Sequence, residues 1–431
     1  MTVKITSGNV RSYVRDIAVN LPRLLETAAG QLAAQIVSAV LTLFVARKLG
    51  PTLTGDLAVV YTVSTIVSLF FNWGLDLWLH ESLLKEANQQ QALVGKINRV
   101  RVRLGGASIP LSAIVWWITT NRPELSPLIL VAGCELLLDG CLGAVIIGEH
   151  SVAHHKLGSR LLVLHRVLKL AAVAALFGIG MGSLAEVVVT RLMAAAPILV
   201  LYLVKTNRLT RVPAVSAPAM RDIIRHSGIY ALLNGLSLAY GQVDVLLLGL
   251  LLPGGGTVGY YSQAMGILMS TMALPYAAYL VVTRTLAARV KKSGQKGTNA
   301  YAYSMALFVL IGLLLAAFLY FIGPGLLLLL LGDAYATSAH LVALQFGTVF
   351  LKSVNLGLAS LMVVAAIRRP RAVVQGISLF VNLTLNLLLI PNFGAVAAVF
   401  VYTFSEGVLM VGYAATVAHR LRKHSMTSSQ A

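Results

Sequence analysis

Apolar runs of about 18 residues or more recur along the whole chain, and that is the length at which a helix crosses a bilayer. In lipid only helices and closed barrels satisfy their own backbone groups. The runs are continuous rather than alternating, so they are helices and not barrel strands. Charged residues make up 11% of the 431 positions, against about 25% in a soluble domain. The chain is therefore expected to be an all-α polytopic membrane protein.

Twelve spans are predicted, at 25–46, 57–79, 104–120, 127–147, 161–180, 184–204, 228–252, 258–283, 303–323, 339–366, 372–391 and 394–418. The apolar patch 325–332 is too short to cross and is read as an extension of the ninth helix or a dip into the outer interface. A net charge of +19 in a soluble protein would suggest nucleic acid. Here the basic residues fall on loops, and cytoplasmic loops collect Lys and Arg. With the N-terminus inside, the inner segments hold 27 of the 34 Lys and Arg. The outer loops hold only Arg47, Lys48 and Arg122. That bias supports both the count and an orientation with both termini cytoplasmic, and it leaves no reason to expect a nucleic-acid partner.

Residues 1–24 carry Val10, Val14, Ile17 and Leu21 at helical spacing beside Arg11 and Arg15, which predicts an amphipathic helix on the inner membrane surface. Pro22 is placed at the start of the first spanning helix. The twelve spans divide into an N-terminal lobe at 25–205, a basic inner linker at 206–227 and a C-terminal lobe at 228–420, with a polar tail at 421–431. An even number of spans per half starts both halves on the same side. The expectation is two pseudo-symmetric six-helix bundles, related as parallel repeats, around a central cleft. Cys134 and Cys141 lie seven apart on one helix, roughly 10 Å of rise and too far for a disulfide.

The stretch Gly241–Ala264 places Asp244 inside an apolar run that ends in Pro253-Gly-Gly-Gly256, after which Gly259-Tyr260-Tyr261 opens a second run. A carboxylate at membrane depth followed by a tight turn is a transporter arrangement. These residues carry a resemblance. Asp244-Val-Leu-Leu-Leu-Gly249, Val258-Gly-Tyr-Tyr-Ser-Gln-Ala264 and the downstream Leu274-Pro275 resemble the oligosaccharide flippase (polysaccharide transporter) family. Its superfamily also holds the multidrug and toxin extruders. Ala46-Arg-Lys-Leu-Gly-Pro51 and Gly55 are similar to the family pattern in the first half. The resemblance implies a flippase in the bacterial inner membrane, working by alternating access. Its cargo would be an oligosaccharide on undecaprenyl pyrophosphate, for O-antigen, capsule or exopolysaccharide synthesis. Membrane lipids and the polysaccharide polymerase machinery would be its other partners.

Eight ionisable residues lie deep in the spans: Glu135, Asp139, Arg166, Lys169, Arg191, Asp244, Lys352 and Glu406. At 1.5 Å of rise per residue, Asp139 matches Lys169 in depth, Glu135 matches Arg191, and Lys352 matches Glu406. Asp244 has no evident partner; Asn234, Gln242 or a backbone group are the candidates to cap it. Two readings stand. The pairs lock helices together, or Arg166, Lys169, Arg191 and Lys352 receive pyrophosphate or acidic sugars through point-charge or forked hydrogen bonds. Arg166 and Lys169 are three apart and share a helix face. Asp244, Asp139 and Glu135 are the candidates for ion coupling. Arg284, Arg289, Lys291, Lys292 and Lys296 read as a lipid-facing charge patch. Pro275 is the expected bend in a moving helix, with Pro110 and Pro197 also inside spans.

Gly254-Gly255-Gly256 is followed by no Gly-Lys-Ser/Thr, so it is not a phosphate loop. The nine His and two Cys show no metal-ligand spacing, and no cofactor is implied. No nucleophile–base constellation stands out, and the outer loops are short, which fits a transporter better than a membrane enzyme of polysaccharide assembly. The alternative transporter is a cation-coupled multidrug exporter, expected to carry acids in the centre of its first helix, where this chain has only the terminal Glu26.

Overall fold

A computed structural model describes residues 7–85, 90–120, 122–151, 155–205, 220–252, 254–279, 282–283, 286, 298–365, 367 and 369–428. Among these residues there are helices, turns and short 3-10 segments, and no strand. The longer helices are α1 (Ser7–Asn72), α2 (Leu75–Lys85), α3 (Gln90–Thr119), α4 (Ser126–Ser151), α5 (His155–Gly178) and α6 (Leu184–Lys205). They continue with α7 (Met220–Leu251), α8 (Gly256–Thr271), α9 (Thr298–Phe321), α10 (Gly323–Leu331), α11 (Ala336–Leu344), α12 (Phe346–Val364) and α13 (Arg369–Ser428).

Eight of the described helices are long and apolar enough to cross a membrane. Two of them, α1 and α13, are each two crossings joined at one non-helical residue: Gly50 (φ 73°, ψ 173°) and Gly394 (φ 58°, ψ −138°). Positive φ is strained for any residue with a Cβ, so glycine lets each pair of spans reverse without a loop. The other two crossings come from α7 and from α8 with its continuation over 273–279. Over their described residues the twelve expected spans thus form helices.

Several boundaries differ from expectation. The outer loop at 47–56 shrinks to the Gly50 break. The inner stretch 80–103 is helix from Gln90 onward, because an amphipathic turn or two extends a spanning helix beyond its apolar window. Helix α1 runs through Pro22 rather than starting there; one proline removes one backbone donor and leaves the others in place. The patch at 325–332 forms its own helix, α10. The tenth span breaks at Gln345 into α11 and α12. Helix α8 stops at Met272, three residues before Pro275. The side chains of residues 1–24, the linker 206–219, the tail beyond 428, the side chain of Asn234 and the basic patch Arg284–Lys296 lie outside the described residues.

The chain divides into two compact units. The first comprises Met1–Phe44 and Val67–Leu232, the second Val45–Ile66 and Leu233–Ala431. In the first unit α4 is central, packing on α2, α3, α5 and α6. Its core includes Leu79, Leu93, Ile97, Leu142, Val145, Leu199 and Ile223. In the second, α12 packs against α9 and α13 around Leu358, Met362 and Tyr413.

Inside the second unit, the two glycine-bearing stretches singled out in the sequence meet. A methyl group on Gly55 would overlap the Gly255 carbonyl, and one on Gly259 would overlap the Pro51 carbonyl. Small residues let helix backbones approach where lipid offers no hydrophobic drive for association. Around this contact, the Tyr335 hydroxyl donates to the Ala46 carbonyl at 2.7 Å and lies 3.0 Å from the Thr54 hydroxyl. Arg47 donates to the Leu330 carbonyl at 3.3 Å, which satisfies an acceptor in the last turn of α10. Overpacking of this kind costs about 1–3 kcal/mol. Gly55→Ala is expected to lower the midpoint of thermal unfolding in detergent, whereas Gly266→Ala, where a methyl group meets open space, leaves it unchanged. Equal midpoints for the two variants would refute the close approach.

Candidate functional site

The first unit buries a network of ionised groups on three helices. Glu135 and Asp139 are one turn apart on α4, His165, Arg166 and Lys169 share a face of α5, and Arg191 lies on α6. Because α4 packs on both neighbours, the six side chains converge. The Lys169 ammonium donates to Glu135 Oε1 at 2.7 Å and to both Asp139 oxygens at 2.7 and 2.9 Å. Arg191 donates to Glu135 Oε1 through Nε and Nη2, each at 3.3 Å. Arg166 reaches Asp139 Oδ2 at 3.4 Å, and His165 Nε2 lies 2.9 Å from Asp139 Oδ1.

The depth-matched pairs Asp139–Lys169 and Glu135–Arg191 are therefore formed, and Lys169 also joins the two. Access differs within the network. Side-chain exposure is 1% for Lys169 and 0% for Glu135, but 32% for Arg166, 19% for Arg191 and 17% for Asp139. The Lys169 ammonium bridges α4 and α5 from an enclosed position, while both guanidinium groups are partly exposed. Among the described residues three permanent cations and two carboxylates meet here.

In the second unit, the Lys352 ammonium donates to Glu406 Oε1 at 3.0 Å and to the Tyr402 hydroxyl at 2.8 Å. Asn355 donates to Glu406 Oε2 at 2.7 Å. The expected Lys352–Glu406 pair is thus present, between α12 and α13. Lys352 belongs to a different unit from Arg166, Lys169 and Arg191.

Asp244 has partners that depth matching did not supply. Tyr261 donates its hydroxyl to Oδ2 at 2.8 Å, and Asn386 donates its amide to Oδ1 at 2.6 Å. Asn386 also donates to Asn382 Oδ1 at 3.0 Å. Gln242 instead accepts from Thr62 at 3.1 Å. Among the described residues no cation forms an ion pair with Asp244, and the buried Asn386 Oδ1 has no hydrogen-bond partner. The result is a buried carboxylate held by a tyrosine hydroxyl and an asparagine amide.

Two buried groups escaped the sequence reading. Arg101, counted among the inner-loop cations, is fully buried on α3. It donates to Asp76 Oδ1 at 2.7 Å and to the Gly140 carbonyl. Glu149, beyond the expected end of the fourth span, accepts from the Tyr202 hydroxyl and from Gln90. Helical periodicity carried past the apolar window would have found both.

Twelve helical crossings, with ion networks buried inside each of two units, define a multi-pass membrane protein. Residues 25–285 match the family model described as "Polysaccharide biosynthesis protein". That is more than half of the chain, and the chain belongs to this family. Among curated protein sequences none matches. Solved structures show the same fold. One is an inward-facing multidrug resistance MATE family transporter of the MOP superfamily, with a TM-score of 0.67 at 13% identity, covering 90% of this chain and 96% of that one. Another is the lipid II flippase MurJ in an inward closed conformation, with a TM-score of 0.63 at 10% identity, covering 89% and 86%. A third, a MOP superfamily transporter from Pyrococcus furiosus whose binding pocket is described as reversed in polarity, has a TM-score of 0.56 at 12% identity, covering 93% and 94%.

Removing one partner of a buried ion pair costs about 3–5 kcal/mol. Lys169→Ala is expected to cut the yield of folded protein sharply on size-exclusion chromatography. Adding Glu135→Gln and Asp139→Asn to it restores part of the yield. No recovery in the triple variant would mean that the network is not held by charge compensation.

Proposed function

We propose that the chain is a flippase. It carries an oligosaccharide linked to undecaprenyl pyrophosphate across the bacterial inner membrane for O-antigen, capsule or exopolysaccharide assembly. The observation that supports this reading is that three permanent cations meet two carboxylates among the described residues of the first-unit network, with Arg166 and Arg191 partly exposed beside a partly exposed Asp139. A guanidinium offers planar, forked donors that suit phosphate oxygens. Membership of a polysaccharide biosynthesis family supports a glycan cargo.

In this mechanism Arg166 and Arg191 engage the pyrophosphate, while Lys169 holds Glu135 and Asp139 so that the guanidinium groups keep their place. The two six-helix lobes alternate access to the two sides. The sugar headgroup crosses in a polar passage and the polyprenyl tail stays in lipid, which avoids moving charge through hydrocarbon. Asp244 is the coupling group. A buried carboxylate met only by neutral donors is stabilised by a proton or a monovalent cation, and Asn386 Oδ1 is a spare oxygen for such an ion. Binding there drives the cycle only through unequal affinity for the two conformations.

A cation-coupled multidrug exporter is the second reading, and the Asp244 pocket is the observation that favours it. The two are separated in cells. Deleting the gene is expected to trap lipid-linked glycan on the cytoplasmic leaflet and abolish surface glycan. The double variant Arg166→Lys with Arg191→Lys, which keeps the charges but removes the guanidinium forks, weakens glycan display at an unchanged protein level, and Asp244→Asn slows display. Normal glycan display after deletion, together with new sensitivity to cationic dyes, would replace the flippase with an exporter.

A further inference from the structure

The second unit contains a cavity of about 290 Å³ that the pyrophosphate site does not use. Lys352, Arg371, Tyr240, Tyr276, Tyr402 and Tyr413 line it, together with Asn355 and Glu406. Its size is at the lower end of ligand pockets, which run from about 300 to 1,000 Å³. One ring fits; an oligosaccharide does not.

The lining is specific in charge. Lys352 is neutralised by Glu406 at 3.0 Å. Arg371 lines the same cavity and forms no ion pair with a carboxylate among the described residues. The cavity therefore carries a net positive charge, presented as a guanidinium fork. Its aromatic members give it flat walls. The rings of Tyr240 and Tyr402 lie 5.3 Å apart at 30°, and the Lys352 ammonium sits 4.9 Å from the centre of the Tyr402 ring. Asn355 Oδ1 is buried there without a hydrogen-bond partner among the described residues. A buried amide oxygen of that kind asks for a donor.

We propose that this cavity binds a single acidic pyranose, a hexuronate. Arg371 forks the carboxylate, Asn355 Oδ1 accepts from a ring hydroxyl, and the tyrosines cover the apolar faces of the sugar as amphipathic aromatics do. A bare phosphate would satisfy Arg371 but leave the tyrosine walls and the Asn355 oxygen unused. The proposal rests on the flippase reading for the origin of the sugar, and its chemistry is testable without transport.

The test is saturation-transfer NMR on the purified full-length protein in detergent, with glucuronate, glucose and inorganic phosphate as probes. Glucuronate is expected to receive saturation from the protein, glucose to receive much less, and phosphate to compete poorly. Arg371→Gln removes no carboxylate partner, so the fold is retained, and it weakens glucuronate binding at least tenfold. Tyr276→Ala, at a half-exposed position, weakens it severalfold. No transfer to glucuronate, equal binding by Arg371→Gln, or phosphate displacing glucuronate at equal concentration would each overturn the site. Absent glucuronate binding with glycan trapped on gene deletion removes this site and leaves the flippase. Glucuronate binding with normal glycan display does the reverse.

Discussion

A charge in the hydrocarbon region must have a partner, and in this protein that requirement fixes the arrangement of three helices. Lys169 serves two carboxylates on α4 with one ammonium. The net gain from such a network over apolar packing is small, since desolvation offsets attraction, but losing one member is costly. The network therefore acts more as a register for α4, α5 and α6 than as a source of stability. It also leaves Arg166 and Arg191 partly exposed. Holding helices together and presenting cations are the same structure seen from its two sides.

The glycine contacts answer a second constraint. Lipid offers no hydrophobic force between helices, so close backbone approach and polar contacts must supply association. Gly55, Gly255 and Gly259 provide the first. Tyr335, Thr54 and Arg47 supply the second from side chains that reach backbone carbonyls and hydroxyls. The stretch 45–66, from the first half of the sequence, is consequently part of the second compact unit. A motif that reads as a turn signal in sequence is, in space, a packing surface.

The spans and their helical nature were legible because apolar length is a direct physical signal. The pairing of Asp139 with Lys169, Glu135 with Arg191 and Lys352 with Glu406 was legible because rise per residue converts position into depth. Depth matching fails for neutral partners, which carry no charge to match. Asp244 finds Tyr261 and Asn386, the latter 142 residues away. Arg101 was hidden because counting every basic residue near a span as a loop residue ignores the helix that continues below the apolar window. Gly50 was hidden because a reversal made by one positive φ needs no loop composition at all. The cavity beside Lys352 depends on five helices meeting, and no local pattern records that.

The role proposed for the partly exposed guanidinium groups, anchored by a buried ion network, is to carry a pyrophosphate-linked sugar past lipid. The most direct measurement uses the purified protein in liposomes that contain a fluorescent undecaprenyl-pyrophosphate sugar, with a membrane-impermeant quencher added outside. The account predicts that the protected half of the fluorescence is lost within minutes with the native protein and persists in empty liposomes. It also predicts that the native signal is blocked by excess unlabelled substrate but not by cationic dyes. Protection equal to that of empty liposomes, in protein that is folded and correctly inserted, would contradict it.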